Sequence, residues 1–431
     1  MSSAKRLKSF RRLLEHAHER LKLEFGFVLW DGSRVPSGYP RDGLAISFAD
    51  EGVVAALIRR PKIDTLANLW ATARVDVVNG TLLELVAKRP KVRTREIRGE
   101  LQWGTLLGTA LQFLFVPRGG PWPLENIRSD RSSQRDAVED KDNIHYHYDA
   151  SNEFYALWLD KEMVYTCAYF HDWNESIDKA QQNKLEMVCR KLRLKPGESM
   201  LDLGCGWGGL LIYAAQNYGV SGYGVTLAEE QARYAQEKIK RLGLEGRVKV
   251  ECKDYASARG IYDKVSAICI LEHVGENNFP LFYQTVHRAL KPDGLFLNQS
   301  IARPAKKDDK QFRKRNRDYA ALTKYVFPGA ELDYIGRTTT NLERFGFEVH
   351  DVEAWREHYK LTCKLWHDRL LANRAAAERE VGAVTYRVWL AYLAGVTVAF
   401  ERNTALLFQT LASKRKRGPS GLPPTREYLY R

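Results

Sequence analysis

The period of the apolar positions changes along the chain. Between residues 5 and 24, leucines recur at helical spacing among basic residues, which predicts an amphipathic helix. From Gly26 to Val53 the pattern shortens to strand-like runs broken by Gly32-Ser33, Pro36-Ser37-Gly38 and Asp42-Gly43. Ile63–Thr72 and Val78–Val86 read as helical or mixed, with Asn79-Gly80 a turn. To residue 117 this predicts a small α+β domain without a polar cluster at catalytic spacing. Pro117–Pro123 reads as the start of a linker, and Asn126 to Asn143 as polar and mobile.

From Ile144 the character changes. His145-Tyr146-His147-Tyr148-Asp149 is expected to open a helix whose Asn152, Phe154 and Leu157 roof a site. Met163 to Phe170 is an aromatic-rich run whose plainer reading is core packing and whose other reading is a site wall. Then strand and helix alternate: a strand through Leu201-Asp202-Leu203, a helix Leu210–Tyr218, a strand Ser221–Leu227, a run ending in Lys253-Asp254-Tyr255, and a strand Tyr262–Leu271. That rhythm predicts an α/β, Rossmann-like, mostly parallel sheet with its site at the strand ends. Gly346-Phe347-Glu348-Val349 resumes a strand, helices are expected from Thr362 to Leu411, and the tail Lys414-Arg415-Lys416-Arg417 reads as disordered. The expected domains are 1–117, a linker 118–143, a catalytic domain 144–411 and a basic tail 412–431.

Composition narrows the partners. The formal charge is +14 with pI near 9.3, which favours an anionic partner, either nucleic acid or an anionic membrane. No run approaches the roughly 18 apolar residues of a membrane span; Leu106–Val116 and Val388–Phe400 are shorter and read as buried. Met1 to Arg20 lacks the apolar core of a secretory signal. The cysteines are scattered without a C-x-x-C pair, which argues for reduced thiols in a cytoplasmic protein and against a metal site.

The glycine turn carries the chemistry. Leu201-Asp202-Leu203-Gly204-Cys205-Gly206-Trp207-Gly208-Gly209 lets a ligand approach backbone amides and a helix N-terminus. A nicotinamide dinucleotide fold would close its second strand with an acid, and Thr226 stands there instead. A phosphate-binding P-loop would follow its glycines with Lys-Ser/Thr, which is absent. The pattern is that of S-adenosylmethionine methyltransferases. Asp202 is placed for the methionine ammonium, Gly204, Gly206 and Gly208 for the carboxylate and ribose, Thr226 and Gln231 for the adenosine hydroxyls, and Asp254 and Tyr255 for adenine. Tyr165, Thr166 and Leu227 complete the expected cofactor set.

Several stretches together resemble the cyclopropane-fatty-acid synthase family, which includes the mycolic acid cyclopropane synthases. They are HYDASNEFYALWLD (147–160), YTCAYF (165–170), LDLGCGWGGL (201–210), GVTLAEEQ (224–231), LEHVG (271–275), YVFPG (325–329) and HYKLT (358–362). The resemblance implies transfer of a methyl group from S-adenosylmethionine to the cis double bond of a phospholipid acyl chain, closing a cyclopropane. It implies a bicarbonate ion held by Cys167 and Ile301 (through backbone), Glu272, Gln299 and Tyr359, and an N-terminal domain that assists lipid handling and a homodimer. An alkene is a weak nucleophile, so the methyl must be held in line with water excluded. The resulting carbocation needs aromatic faces, for which Tyr165, Tyr169, Phe170 and Trp366 are candidates. His273 could also serve as a base, Cys205 reads as a space-filler, and His145 and His147 as structural.

One position departs from the family. Gln299 stands where the pattern has histidine, and an amide donates hydrogen bonds but does not relay a proton. Methylation of the acyl chain without ring closure, or methylation of a small amine, therefore stays open. The expected location is peripheral, on the inner face of an anionic membrane, through Lys306, Lys307, Arg313, Lys314, Arg315 and Lys414 to Arg417. A nucleic-acid methyltransferase would carry an Asn/Asp-Pro-Pro-Tyr/Phe loop or a Pro-Cys after the fourth strand. Leu271-Glu272-His273-Val274-Gly275 stands there instead, so no nucleic-acid partner is expected.

Overall fold

The computed structural model describes residues 2–88, 103–125, 151–314 and 330–430. His145 to Asp149, the stretch 126–143, Arg315 and Tyr325–Gly329 lie outside them. The chain forms two compact units, one of Met1–Arg128 with Gly382–Ala394, the other of Ser129–Val381 with Gly395–Arg431.

In the first unit, β1 (Gly26–Val28), β2 (Arg34–Val35), β3 (Ala45–Phe48) and β4 (Val75–Val78) form a sheet in the order β2-β1-β3-β4. Phe10, Phe27, Phe48 and Phe113 meet in its core, with Phe10 edge-on to Phe48 at 5.3 Å. Arg387 belongs here. Its guanidinium lies 4.1 Å from the Trp70 ring centre, donates to the Trp70 carbonyl at 2.5 Å and bonds Asp76 at 2.9 Å. The buried charge is thus fully partnered, as burial demands.

The second unit is built on β5 (Ser199–Leu203), β6 (Ser221–Thr226), β7 (Val248–Cys252), β8 (Tyr262–Ile268), β9 (Leu290–Ala302), β10 (Phe347–Ala354) and β11 (Leu406–Lys414). Their order is β10-β11-β9-β8-β5-β6-β7; β11 runs antiparallel to both β10 and β9, and the remaining described pairings of this sheet are parallel. The order reverses beside β5, which opens a crevice at its carboxyl end. Strand interiors such as Leu201, Leu203, Val265 and Leu297 are fully buried, with helices covering both faces.

Four expectations change. Leu406–Leu411, expected to be helical, is the core of β11; a short apolar run buried on both faces has no period to separate strand from helix. The tail is ordered rather than disordered: Lys414 closes β11, Arg415 donates to the Phe347 carbonyl at 3.4 Å, Arg426 pairs with Asp351 at 2.9 Å, and Leu429 is buried. Leu106–Val116 is buried on one side only. Phe113 and Val116 face the core, while Leu107, Leu111, Leu114 and Phe115 are exposed. Val388–Phe400 lies within a longer helix, Arg374–Glu401, interrupted at Gly382 (φ 77). By length and composition that helix could cross a membrane, although 44% of its most apolar window is buried.

Candidate active site

Strand β5 ends in Asp202-Leu203 and the chain turns at once through the glycines. Gly204 (φ 73) and Gly206 (φ 55) both adopt the left-handed conformation that side chains disfavour. The Gly204 and Cys205 amides both bond the Val225 carbonyl, at 2.9 and 3.0 Å, which ties the turn to β6. A Cβ added at Gly206 would meet nothing within 4 Å, so the open side of the turn is a cradle. Helix Gly209–Tyr218 starts directly behind it, and its unpaired N-terminal amides favour a carboxylate.

Around the cradle stand the other expected cofactor residues. Asp202 is buried and accepts from the Ser266 hydroxyl at 2.5 Å. Burial pushes its carboxyl up to about 7, opposed by that bond and by the charge of Lys184. A cationic ammonium is the partner that would offset this penalty. At the end of β6 the Thr226 hydroxyl donates to the Gln231 side-chain Oε1 at 2.9 Å, both side chains buried. Asp254 accepts from the Ala256 amide at 2.7 Å, and the Tyr255 ring packs on Phe282 at 5.7 Å. Leu227, which follows β6, is half-buried. Fixed carboxylate, open glycine cradle and strand-end hydroxyl together fit S-adenosylmethionine.

The run 163–167 is held from behind. Asp160 accepts from the amides of Glu162 and Val164, each at 2.9 Å, and its carboxyl is pushed up to about 6 by burial. Gln181 donates to the carbonyls of Val164 and Thr166, and Lys184 donates to the Thr166 hydroxyl at 3.0 Å. These anchors were not foreseen. The signal was present, because Gln181 and Lys184 occupy the same helix face as Ala180, Leu185 and Val188, all buried. Burial lowers the Lys184 pKa, opposed by Asp160.

From the glycine turn an aromatic wall extends. Trp207 donates to the Asn152 side-chain oxygen at 2.7 Å, and its ring lies 5.0 Å from Tyr155. Tyr155 continues to Tyr165 (5.7 Å), Tyr165 to Trp366 (5.3 Å), Trp366 to Tyr359 (6.2 Å) and Tyr359 to Phe400 (4.7 Å). Tyr165 and Trp366 are therefore in the wall as expected. Tyr169 and Phe170 are not. They pack with His358, at 4.6 and 6.2 Å, in a second cluster with Trp355 and Trp173. The chain bends between Thr166 and Tyr169, where Cys167 and Ala168 are fully buried.

The expected anion-binding residues are distributed between strand ends and the helix Arg356–Ala372. Glu272 follows β8 and is buried. Its Oε1 accepts from the Ile301 amide, and its Oε2 has no hydrogen-bond partner among the described residues. Burial pushes its carboxyl up to about 7. The Ile301 amide expected to face an anion is thus engaged by Glu272. Cys167 is buried, and burial pushes its thiol up. Gln299, fully buried on β9, donates to the Cys269 sulfur at 3.4 Å and accepts from Gln409 at 2.8 Å. Cys269 itself is held at φ 55, its amide bonded to the Gln299 carbonyl at 2.7 Å. Among the described residues no cluster of His, Cys, Asp and Glu could hold a metal ion.

Residues 135–410 match the mycolic acid cyclopropane synthetase family. The chain belongs to that family. It is an S-adenosylmethionine-dependent methyltransferase, in a family that modifies lipid acyl chains. It is 36% identical over 384 residues to a probable fatty acid methyltransferase of Pseudomonas putida, covering 84% of this chain and 95% of that one. It is 35% identical over 268 residues to the cyclopropane-fatty-acyl-phospholipid synthase of Escherichia coli (strain K12), covering 62% and 66%. The solved structure of the mycolic acid cyclopropane synthase CmaA1 complexed with SAH and CTAB superposes with a TM-score of 0.61 at 28% identity, over 66% of this chain and all of that one. That likeness supports the class I methyltransferase fold of the second unit and the cofactor.

Proposed function

We propose that this cyclopropane synthetase family member methylates the cis double bond of an unsaturated phospholipid acyl chain and closes a cyclopropane ring. The observation that carries the reading is the wall from Trp207 to Tyr359, which leads away from the cofactor cradle and is made of aromatic rings. Trp207, Tyr155, Trp366 and Tyr359 are buried, so the wall forms an apolar, water-poor environment of the kind an acyl chain suits. S-adenosylmethionine supplies an electrophilic methyl on a sulfonium centre. Asp202 and the glycine turn would hold its amino-acid end, which would fix where the methyl is presented. As the C–S bond to the departing S-adenosylhomocysteine breaks, positive charge would develop on the acyl chain, and the faces of Tyr165 and Trp366 would stabilise it without bonding to it.

Ring closure requires a base for a proton of the new methyl. Bicarbonate would supply it, held by Glu272, Gln299, Tyr359 and the backbone of Cys167. The unpartnered Glu272 Oε2 supports this, because a carboxyl protonated near neutrality can donate to an anion. One observation favours a second product. Gln299 cannot take a proton, so a methylated chain that retains its double bond is the alternative.

The lipid lies in a bilayer, and we assign docking to an anionic membrane surface. Lys306, Lys307 and Lys314 are exposed, each contributing about 1 kcal/mol at such a surface. In the first unit the helix Trp103–Phe113 and the residues after it expose an apolar stripe, with Leu107 64% and Phe115 90% exposed. Ser9, on helix Ser3–Leu21, bonds Thr109 of that helix at 3.0 Å, and Lys5 and Arg12, one turn to either side of Ser9, are exposed. Apolar stripe and flanking positive charge are the components of an interfacial helix. Of the tail, Arg415 and Lys416 are less available: Lys416 pairs with Asp293, and Arg415 bonds backbone carbonyls. Proton NMR of lipids extracted after incubation tests the reading: upfield cyclopropyl signals support it, and vinyl signals of unchanged intensity refute it.

A further inference from the structure

The side chain of Gln299 is the end of a buried polar row that crosses the sheet. Gln299 on β9 is directly opposite Gln409 on β11, and Gln409 is directly opposite Glu353 on β10. Residues paired in this way project to the same face of a sheet. The Gln409 amide nitrogen donates to the Gln299 Oε1 at 2.8 Å, and the Lys191 ammonium donates to the Gln409 Oε1 at 2.8 Å. Lys191 also pairs with Glu353 and lies 5.1 Å from the Trp355 ring centre. Its side chain is 1% exposed.

The order of donors and acceptors along this row is forced. An ammonium has only donors, so the Gln409 oxygen must turn towards Lys191 and its nitrogen towards Gln299. The Gln299 oxygen must then turn towards Gln409, and its nitrogen towards Cys269 and the carboxyl end of β8. Nothing local in the residues around Gln299 imposes this; the information comes from Lys191, 108 positions earlier in the chain. A buried ammonium is costly, and an apolar residue there would often be as stable.

We infer that Lys191 and Gln409 are positioning residues that set the direction of the Gln299 amide, so that position 299 presents N–H donors, and no acceptor, at the end of β8. The role fits a small oxyanion next to Glu272, and to that extent it rests on the bicarbonate reading above. It also explains how glutamine serves where the family pattern has histidine: a fixed donor binds the anion while the anion, not the side chain, handles the proton.

The decisive variant is Gln409→Glu, compared with Gln409→Met and Lys191→Met. A carboxylate at 409 has no donor for the Gln299 oxygen, so the Gln299 amide turns round and offers its oxygen to the site. Bicarbonate binding to the full-length protein, measured calorimetrically with S-adenosylhomocysteine present, should weaken by about tenfold or more in Gln409→Glu, the loss of one hydrogen bond to a charged group. The two methionine variants should weaken it less, and S-adenosylhomocysteine affinity should stay unchanged in all three. Unchanged bicarbonate affinity with only a lower melting temperature would mean a structural role and overturn the inference. If the wild type binds no bicarbonate, the anion reading fails. The positioning claim is then decided by the Gln299 side-chain amide resonance, which should move in Lys191→Met and Gln409→Glu and would stay put if the claim were wrong.

Discussion

The two halves of the sheet's carboxyl edge are built differently. At β5 and β6 the cofactor cradle is made by residues close in sequence: Asp202, Gly204, Gly206, then Thr226 and Gln231. At β8, β9 and β11 the proposed acceptor side draws on Glu272, Gln299, Tyr359 and Gln409, each from a separate element. The first half relies on backbone shape, where Gly204, Gly206 and a strand end leave few alternatives. The second relies on side-chain partners, such as the Ile301 amide on Glu272 and Gln409 on Gln299. Backbone-built sites tolerate little variation. A site built from side chains can keep its geometry while changing one member, as Gln299 illustrates.

The sharpest way to break the first half is Gly206→Val. A β-branched residue at φ 55 costs about 1–2 kcal/mol in backbone strain and also fills the cradle. We expect S-adenosylhomocysteine binding to fall by about 100-fold or more, the sum of strain and lost contact. Calorimetry checks this, and near-normal affinity would mean the cofactor lies elsewhere.

The second half is probed by Glu272→Gln. The Glu272 carboxyl is raised from 4.5 to about 7. Between those values the folded chain keeps a proton that the unfolded chain has released, so this group's contribution to stability falls as pH rises. The neutral amide removes that slope. Relative to the variant, the wild type should lose on the order of 3 kcal/mol between pH 4.5 and pH 8. Urea unfolding at the two pH values measures it, and parallel profiles would show that Glu272 is not buried as described.

Next in size is Trp366→Leu, which removes one face of the wall. Loss of a desolvated cation–π contact of about 2 kcal/mol predicts a fall of roughly 30-fold in kcat, with cofactor affinity retained. Tyr169→Phe, in the neighbouring cluster, should leave kcat unchanged. Equal effects of the two would erase the distinction between the clusters. The smallest effect belongs to the first unit. Leu111→Asp with Phe115→Asp should weaken binding to anionic vesicles by about tenfold, from the apolar area no longer buried, and leave turnover of a detergent-dispersed lipid unchanged. Undiminished vesicle binding would assign the stripe to another partner.

This division also marks what could be read in advance. The cofactor half was legible because its residues are contiguous and each carries a recognisable backbone duty. The parallel sheet followed from the same alternation. On the acceptor side the residue types were legible, but not which rings share a wall. Tyr165 and Tyr169 are separated by one bend, and only the fold shows that they face different clusters. The row through Gln409 and Lys191 had no local signature, since its members meet only by strand register and helix placement. Strand β11 was missed for a related reason: buried on both faces, it has no alternation to display.

The central claim is that the reaction ends in ring closure despite Gln299. The direct measurement is mass spectrometry of unsaturated phospholipid vesicles after incubation with S-adenosylmethionine carrying a trideuterated methyl group. Closing the ring removes one proton from that methyl, so the account predicts a product that keeps two deuterium atoms and resists ozonolysis. A product that keeps all three and is still cleaved by ozone would contradict it, and would show that the cation loses its proton from the acyl chain instead.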